Sequence, residues 1–128
     1  DKSLQDEVLE SFTYEEQLAI AMQLAEKEVR AGNRKTPTQV KQKIQDVLMR
    51  KGYSFSIVSD VLERIQLERE EDEWADMIAA QGEKVWRKFA AKFSGTERNM
   101  KVKQALYQKG FPIEIINRFI EEKEHEEV

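Results

Sequence analysis

The feature that most constrains this chain is an internal repeat with a spacing of 58 residues. The segment LMRKGYSFSIVSDVLE, residues 48–63, aligns with LYQKGFPIEIINRFIE, residues 106–121. Both segments contain a Lys-Gly-aromatic motif, and the apolar positions around it keep their spacing although the residues change. Retained spacing with changed side chains is expected of a core face that is used twice. The sequence therefore predicts two diverged copies of one structural unit.

Helix-capping signals predict three helices in each copy. Thr13 and Glu16 form one capping-box pattern, and the segment 36–39, TPTQ, forms a second with proline at the first helical position. Gly52 and Gly110 follow the second helix of each copy, where glycine can take the left-handed turn that ends a helix. In the second copy, Ser94 is in position to cap the middle helix.

The boundaries follow from these signals. We expect a linker or the tail of a preceding repeat over residues 1–12, one three-helix repeat over 13–67, and a second over 68–128 with an acidic C-terminal tail. The run EREEDEWAD, residues 68–76, contains neither Gly nor Pro. Because nothing in it would break a helix, we expect the last helix of the first copy, about residues 54–67, to continue with only a kink into the first helix of the second copy, residues 71–92.

Composition excludes several classes of protein. The chain has five glycines, two prolines and no cysteine, so it offers little turn chemistry for a β-sandwich and no disulfide or thiol nucleophile. No stretch approaches the roughly 18 apolar residues of a membrane span. The lone histidine, His125, lies among glutamates, and we interpret it as solvated. Glycine-rich phosphate loops and HExxH spacing are also missing. We expect an all-α protein without catalytic residues, metal or cofactor.

A net charge of −4 hides two basic blocks. Residues 30–51 contain seven basic side chains and one acid, and residues 84–109 contain eight and one acid. Recurrence in both copies predicts a contact surface for an anionic partner, and the alternative is a pair of solubilising faces. The candidate contact residues are Arg30, Arg34, Lys35, Lys41, Lys43, Arg50, Lys51, Arg87, Lys88, Arg98, Lys101 and Lys103.

The aromatic side chains of the second copy allow two interpretations, stacking on nucleic-acid bases or packing in the core. Trp74, Phe89 and Phe111 fall on the same helical stripes as aliphatic residues, so we expect them in the core. Trp86 lies among basic residues, and both interpretations stay open for it.

The second copy resembles a known family. Residues 86–122, WRKFAAKFSGTERNMKVKQALYQKGFPIEIINRFIEE, are similar to the last three-helix repeat of RecX, the regulatory protein of the bacterial recombinase RecA. The resemblance rests on the Trp-Arg-Lys helix, the Glu-Arg entry to the next helix and the Lys-Gly-Phe turn. Residues 13–65 resemble the repeat before it.

The resemblance implies tandem three-helix, helix-turn-helix-like repeats in an elongated, curved array that forms the C-terminal portion of a longer protein. It implies a cytoplasmic, monomeric modulator that binds RecA or the RecA–single-stranded DNA filament, with weak direct DNA contact, and regulates recombination, DNA repair and the SOS response. The residues leave two alternatives open. One is a helical protein that binds nucleic acid directly without RecA, and the other is an interaction scaffold in which the basic blocks are incidental.

Overall fold

The computed structural model describes residues 11–126 and is all-α over that range, without a β-strand. This confirms the predicted fold class of tandem helical repeats. Its helices are α1 Tyr14–Ala31, α2 Pro37–Arg50, α3 Phe55–Arg64, α4 Glu71–Ala90, α5 Gly95–Gln108 and α6 Ile113–Glu126.

The described residues divide into two compact units. Unit 1 consists of residues 11–33 together with Gln39–Glu68, and unit 2 consists of Arg34–Thr38 together with residues 69–126. Residues 34–38 connect α1 to α2 in the chain, yet they belong to unit 2. Helix α2 is therefore shared, because its first two residues are part of unit 2 and the rest is part of unit 1.

The capping box at the start of α1 forms as predicted. The Thr13 hydroxyl accepts a hydrogen bond from the Glu16 backbone N–H at 3.1 Å, and the Glu16 carboxylate accepts one from the Thr13 N–H at 3.0 Å. These bonds satisfy two of the amide donors that a helix N-terminus leaves unpaired. The Thr13 N–H also lowers the pKa of Glu16, since it stabilises the ionised carboxylate.

The core of unit 1 draws one apolar stripe from each of its helices. Helix α1 packs against α3, and the Tyr14 hydroxyl donates a hydrogen bond to the Asp60 carboxylate between them. Full burial of one aliphatic side chain contributes about 1.5–3 kcal/mol, so the cluster supplies most of the folding energy of this small unit. The buried residues are Leu18, Ala21, Ala25, Val40, Ile44, Leu48, Tyr53, Ile57, Val58, Val61 and Ile65.

In unit 2, helices α4, α5 and α6 pack pairwise against one another. Trp86 and Phe111 are buried, while Trp74 and Phe89 are partly buried against the same cluster. The Trp74 and Phe111 rings meet edge to face with centroids 5.7 Å apart. The predicted core positions are thus confirmed, and Trp86 is also a core residue.

The Lys-Gly-aromatic motif ends the middle helix of each unit in the same way. Gly52 and Gly110 have φ angles of 96° and 101°, in the left-handed region that glycine adopts without strain. The N–H groups of Tyr53 and Phe111 donate to carbonyls five residues back, at 3.1 and 3.2 Å. This is the Schellman pattern, and it places an aromatic side chain of each unit in the core.

The junction between α3 and α4 differs from the prediction of a continuous helix. Helix α3 ends at Arg64, and Ile65 is extended with φ −70° and ψ 127°. The extended backbone allows the Ile65 side chain to be buried, with Leu67 packed against the same core of unit 1. Helix α4 then begins afresh, and the Glu73 carboxylate accepts the Glu70 N–H at 3.0 Å. Burial of Ile65 outweighs the helix propensity of the acidic run.

Two further expectations change at the ends of helices in unit 2. Ser94 occupies the N-cap position of α5, but its side chain forms no capping hydrogen bond, and Gly95 is left-handed with φ 59°. The expected acidic tail is helical through Glu126, because α6 continues past Ile120 and Lys123 is tied to α4. His125 lies exposed on this last part of α6. Residues 127–128 and the expected linker over 1–10 lie outside the described residues.

Candidate partner-binding surface

The structure exposes eleven of the twelve basic residues that the sequence predicts as contacts. Their distribution between the units differs from the two sequence blocks, since Arg34 and Lys35 belong to unit 2. Unit 1 holds Arg30, Lys41, Lys43, Arg50 and Lys51, and unit 2 holds Arg34, Lys35, Arg87, Lys88, Lys101 and Lys103.

Most of these exposed cations form no ion pair with a carboxylate of the described residues. Among the eleven, only Arg87 forms an ion pair with a carboxylate of residues 11–126, that of Glu83 at 3.3 Å. The ammonium groups of Lys88 and Lys101 lie 5.3 and 5.1 Å from the ring centroids of Phe89 and Phe93. Cation–π contact leaves the positive charge uncompensated, so these residues can still attract an anion.

Two of the basic residues also stabilise the helices that carry them. Arg30 lies in the last turn of α1 and Arg50 in the last turn of α2. A cation there interacts favourably with the helix dipole, by about 0.3–1 kcal/mol. Both residues therefore have a structural role at the end of a helix in addition to their exposed charge.

Arg98 is not part of the exposed surface, which corrects its prediction as a contact residue. It is 6% exposed, its guanidinium carbon lies 4.3 Å from the ring centroid of Trp86, and its Nε donates to Asn99 at 3.2 Å. The sequence carried a signal for this, because Arg98 precedes the buried Val102 and Leu106 at intervals of four residues on one helical face.

The buried indole of Trp86 settles the two interpretations left open for it. It is 6% exposed and meets the Phe119 ring edge to face at a centroid distance of 6.4 Å. A ring enclosed on these sides has no free face for a nucleic-acid base. The basic residues around Trp86 therefore surround a core side chain.

An exposed apolar group on unit 2 was not predicted from the sequence. Met100, Tyr107 and Ile113 are 66%, 64% and 42% exposed, and they line a shallow depression with Lys101 and Lys103. The internal repeat could have indicated this group, because the residues 58 positions before Tyr107 and Ile113 are the exposed Met49 and Phe55. Large apolar side chains kept at the surface in both units are typical of protein–protein contact sites.

A half-buried ion-pair cluster lies between α4 and α6 in unit 2. The Lys123 ammonium is 2.5 Å from the Glu83 carboxylate and 3.2 Å from that of Glu126. The hydrogen bond to Lys123 lowers the pKa of Glu83, and the same bond raises the pKa of Lys123. Each group thus favours the charged form of the other, and the cluster ties the end of α6 to α4.

Within residues 11–126, no group of three or more histidine, aspartate and glutamate side chains is placed to hold a metal ion. No helix in this range has the length and apolar character needed to cross a membrane.

Comparison with known proteins places both units in one family. The profile of the RecX third three-helix domain matches the chain twice, at residues 15–62 and 71–120. The two matched segments together cover more than half of the chain and correspond to α1–α3 and α4–α6. No solved structure matches the chain.

Curated relatives agree with this assignment. The chain is 35% identical over 124 residues to the regulatory protein RecX of Bacillus licheniformis, which covers 96% of this chain and 46% of the relative. The RecX proteins of Bacillus subtilis and Halalkalibacterium halodurans are 34% and 37% identical, over 93% and 88% of this chain and 45% and 42% of their own. The chain thus spans about half the length of the curated relatives it matches. It belongs to the RecX family.

Proposed function

We propose that this chain is part of a modulator of the RecA recombinase that binds RecA or its filament on single-stranded DNA and thereby regulates recombination and DNA repair. The observation that carries the proposal is the double match to a RecX domain, together with relatives whose name is regulatory protein RecX. In this proposal the chain acts by binding and not as an enzyme, in the cytoplasm where RecA works.

The exposed basic residues are the proposed contact surface. A nucleoprotein filament presents phosphates and acidic side chains, and cations that form no ion pair attract both. Eleven of the candidate basic residues are exposed, with members in both units, and ten of them form no ion pair with a carboxylate of residues 11–126. We exclude Arg98 from this surface because it is buried over Trp86.

The repeat itself supports a filament as the partner. We propose that residues 13–67 and 68–128 act as tandem repeats, each offering the same kind of basic and apolar surface. A filament repeats one subunit at regular intervals, so a protein built of repeated units can engage successive subunits with similar contacts. Weak contacts then combine into stable binding without a deep pocket.

Fluorescence anisotropy of labelled single-stranded DNA tests the proposal. The DNA is used bare and coated with RecA, and this chain is added at two salt concentrations. We expect anisotropy to rise with the coated DNA and to depend on salt, because phosphate contacts release counterions. Equal, salt-sensitive binding to bare DNA would instead support a direct nucleic-acid-binding protein that does not need RecA. Binding to neither would overturn the proposal for this chain.

A further inference from the structure

Three consecutive residues of the α1–α2 connection are each held by a side chain or backbone group within unit 2. The Gln81 amide donates to the Arg34 carbonyl at 3.5 Å, and the Arg69 Nε and Nη2 donate to the Lys35 carbonyl at 3.0 and 2.9 Å. The Thr36 hydroxyl donates to the Lys109 carbonyl. Two N–H groups of the planar Arg69 guanidinium donate to the same Lys35 carbonyl oxygen. This geometry fixes the direction of the carbonyl as well as its distance from Arg69.

The turn after α5 lies in close contact with this segment. Gly110 is left-handed there, and a Cβ built on it would lie 2.5 Å from the Thr38 Oγ1 and 2.9 Å from the Thr36 Oγ1. The Thr36 side chain is 0% exposed. A residue with a side chain could not occupy the turn while Thr36 and Thr38 keep these positions, so the glycine serves the close approach as well as the end of the helix.

The result is a backbone held by hydrogen bonds that carries two exposed cations. Arg34 and Lys35 are exposed although the carbonyls of both accept hydrogen bonds from unit 2. Binding a partner through a loose loop requires ordering that loop, and the cost reduces affinity. Here the backbone is ordered on folding, so only the two side chains remain to be fixed on binding.

We propose that Thr36 and Arg69 are positioning residues that preorganise Arg34 and Lys35 as one phosphate-contact element of unit 2. The inference rests on the proposed function, since it assigns a part of the contact surface to the DNA strand of the filament. Residues 34–38 contain no large apolar side chain, and protein interfaces are centred on such side chains. Positively charged side chains that donate hydrogen bonds fit the sugar–phosphate backbone of DNA better.

Thr36→Val is the discriminating variant, because a side chain with no exposure cannot touch the partner itself. We expect the variant to bind RecA-coated single-stranded DNA roughly threefold to tenfold more weakly, as expected for ordering two side chains from a loosened backbone. The slope of log K against log salt should fall by up to about 0.7 for each phosphate that the variant no longer neutralises. Thr96→Val, at an exposed threonine of α5, is the matched control and should bind like the unchanged chain.

A double-mutant cycle separates positioning from general stability. In a chain that already carries Arg34→Ala and Lys35→Ala, Thr36→Val should cause no further loss of binding, because its effect passes through those two side chains. An equal loss in both backgrounds would show that Thr36 acts only on folding and would overturn the inference. Should Thr36→Val fold poorly, Arg69→Lys keeps the charge while removing the two-donor grip, and it should behave in the same way.

Backbone NMR relaxation makes the inference testable apart from the proposed function. The order parameters of the backbone amides of residues 34–36 should be lower in Thr36→Val and Arg69→Lys than in the unchanged chain, without any partner present. Unchanged order parameters would overturn the positioning role whether or not the chain binds a filament. Lower order parameters in a chain that binds no filament would overturn the proposed function and the phosphate role, and would leave the positioning itself standing.

Discussion

Two glycines of unit 2 share a left-handed backbone but differ in the space around them. A Cβ on Gly95, with φ 59°, would meet no atom within 4 Å, whereas one on Gly110, with φ 101°, would meet the side chains of Thr36 and Thr38. Left-handed backbone costs a residue with a Cβ about 1–2 kcal/mol. Of these two positions, only at 110 would an added Cβ cause steric overlap in addition to that cost.

The pair therefore yields a matched prediction. Gly95→Ala should lower the free energy of unfolding by about 1 kcal/mol, and Gly110→Ala should lower it by clearly more, roughly 3 kcal/mol, through strain and overlap together. Urea unfolding followed by circular dichroism measures both values. Equal losses for the two variants would mean that the approach of residues 36 and 38 to Gly110 contributes nothing to stability.

The ion pair of Glu83 and Lys123 predicts how stability depends on pH. The pKa of Glu83 is lowered from 4.5, so its stabilisation is present above that value and is lost as the pH falls through the folded-state pKa. The pKa of Lys123 is raised from 10.5, so its stabilisation is present below that value and is lost as the pH rises through the folded-state pKa.

Glu83→Gln should consequently be less stable than the unchanged chain at pH 7, and the difference should shrink below about pH 4.5. The Glu83 side chain is 35% exposed, so solvent screening limits the difference to about 1 kcal/mol or less. Glu124→Gln, an exposed glutamate on α6, is the control. A difference between unchanged chain and Glu83→Gln that stays constant from pH 7 to pH 3 would contradict the assignment.

At the scale of the helices, the sequence predicted what local rules determine. The Thr13 cap, the glycine turns and the apolar stripes follow from capping geometry and helical spacing, and the repeat showed the turns and stripes twice. The break after Arg64 was missed because the residues that follow it are good helix formers, and only burial of Ile65 decides against a helix there. A tertiary contact is not visible in local propensity.

The candidate surface could be predicted only in part for a related reason. A count of basic residues gives the charge of a segment but not the face of the helix on which each residue lies. Arg98 therefore entered the predicted surface although its helical face is buried. The fixation of residues 34–36 depends on Arg69 and Lys109, which are distant in sequence, and no short motif joins them.

The basic surface of α2 provides a test at this scale. Lys41→Glu combined with Lys43→Glu should weaken binding to RecA-coated DNA and flatten its salt dependence, by about 0.7 in slope for each phosphate left without its cation. Both side chains are exposed, so helicity should not change. Lys27→Glu combined with Arg64→Glu alters the net charge by the same amount outside the basic surface and is the control. If both pairs weaken binding equally, only total charge matters and the surface is not specific.

Over the whole chain, the division into units does not follow the order of the helices. Residues 34–38 belong to unit 2, while the chain before and after them belongs to unit 1. Helix α2 begins at Pro37 in unit 2 and continues from Gln39 in unit 1. Loss of unit 1 would unravel α2 and release both ends of the segment that unit 2 holds through Thr36 and its neighbours. We therefore expect the units to unfold together.

Tryptophan fluorescence can test this coupling, because both tryptophans of the chain, Trp74 and Trp86, lie in unit 2. Leu48→Ala removes a fully buried side chain of unit 1 and should cost about 2–5 kcal/mol. If the units are coupled, the urea midpoint should fall equally by fluorescence, which reports unit 2, and by circular dichroism, which reports all helices. Gln42→Ala, at an exposed position of α2, should shift neither midpoint appreciably. The units would be uncoupled if the fluorescence midpoint did not change while the circular dichroism transition split in two. In that case the shared helix would not couple the stability of unit 2 to that of unit 1.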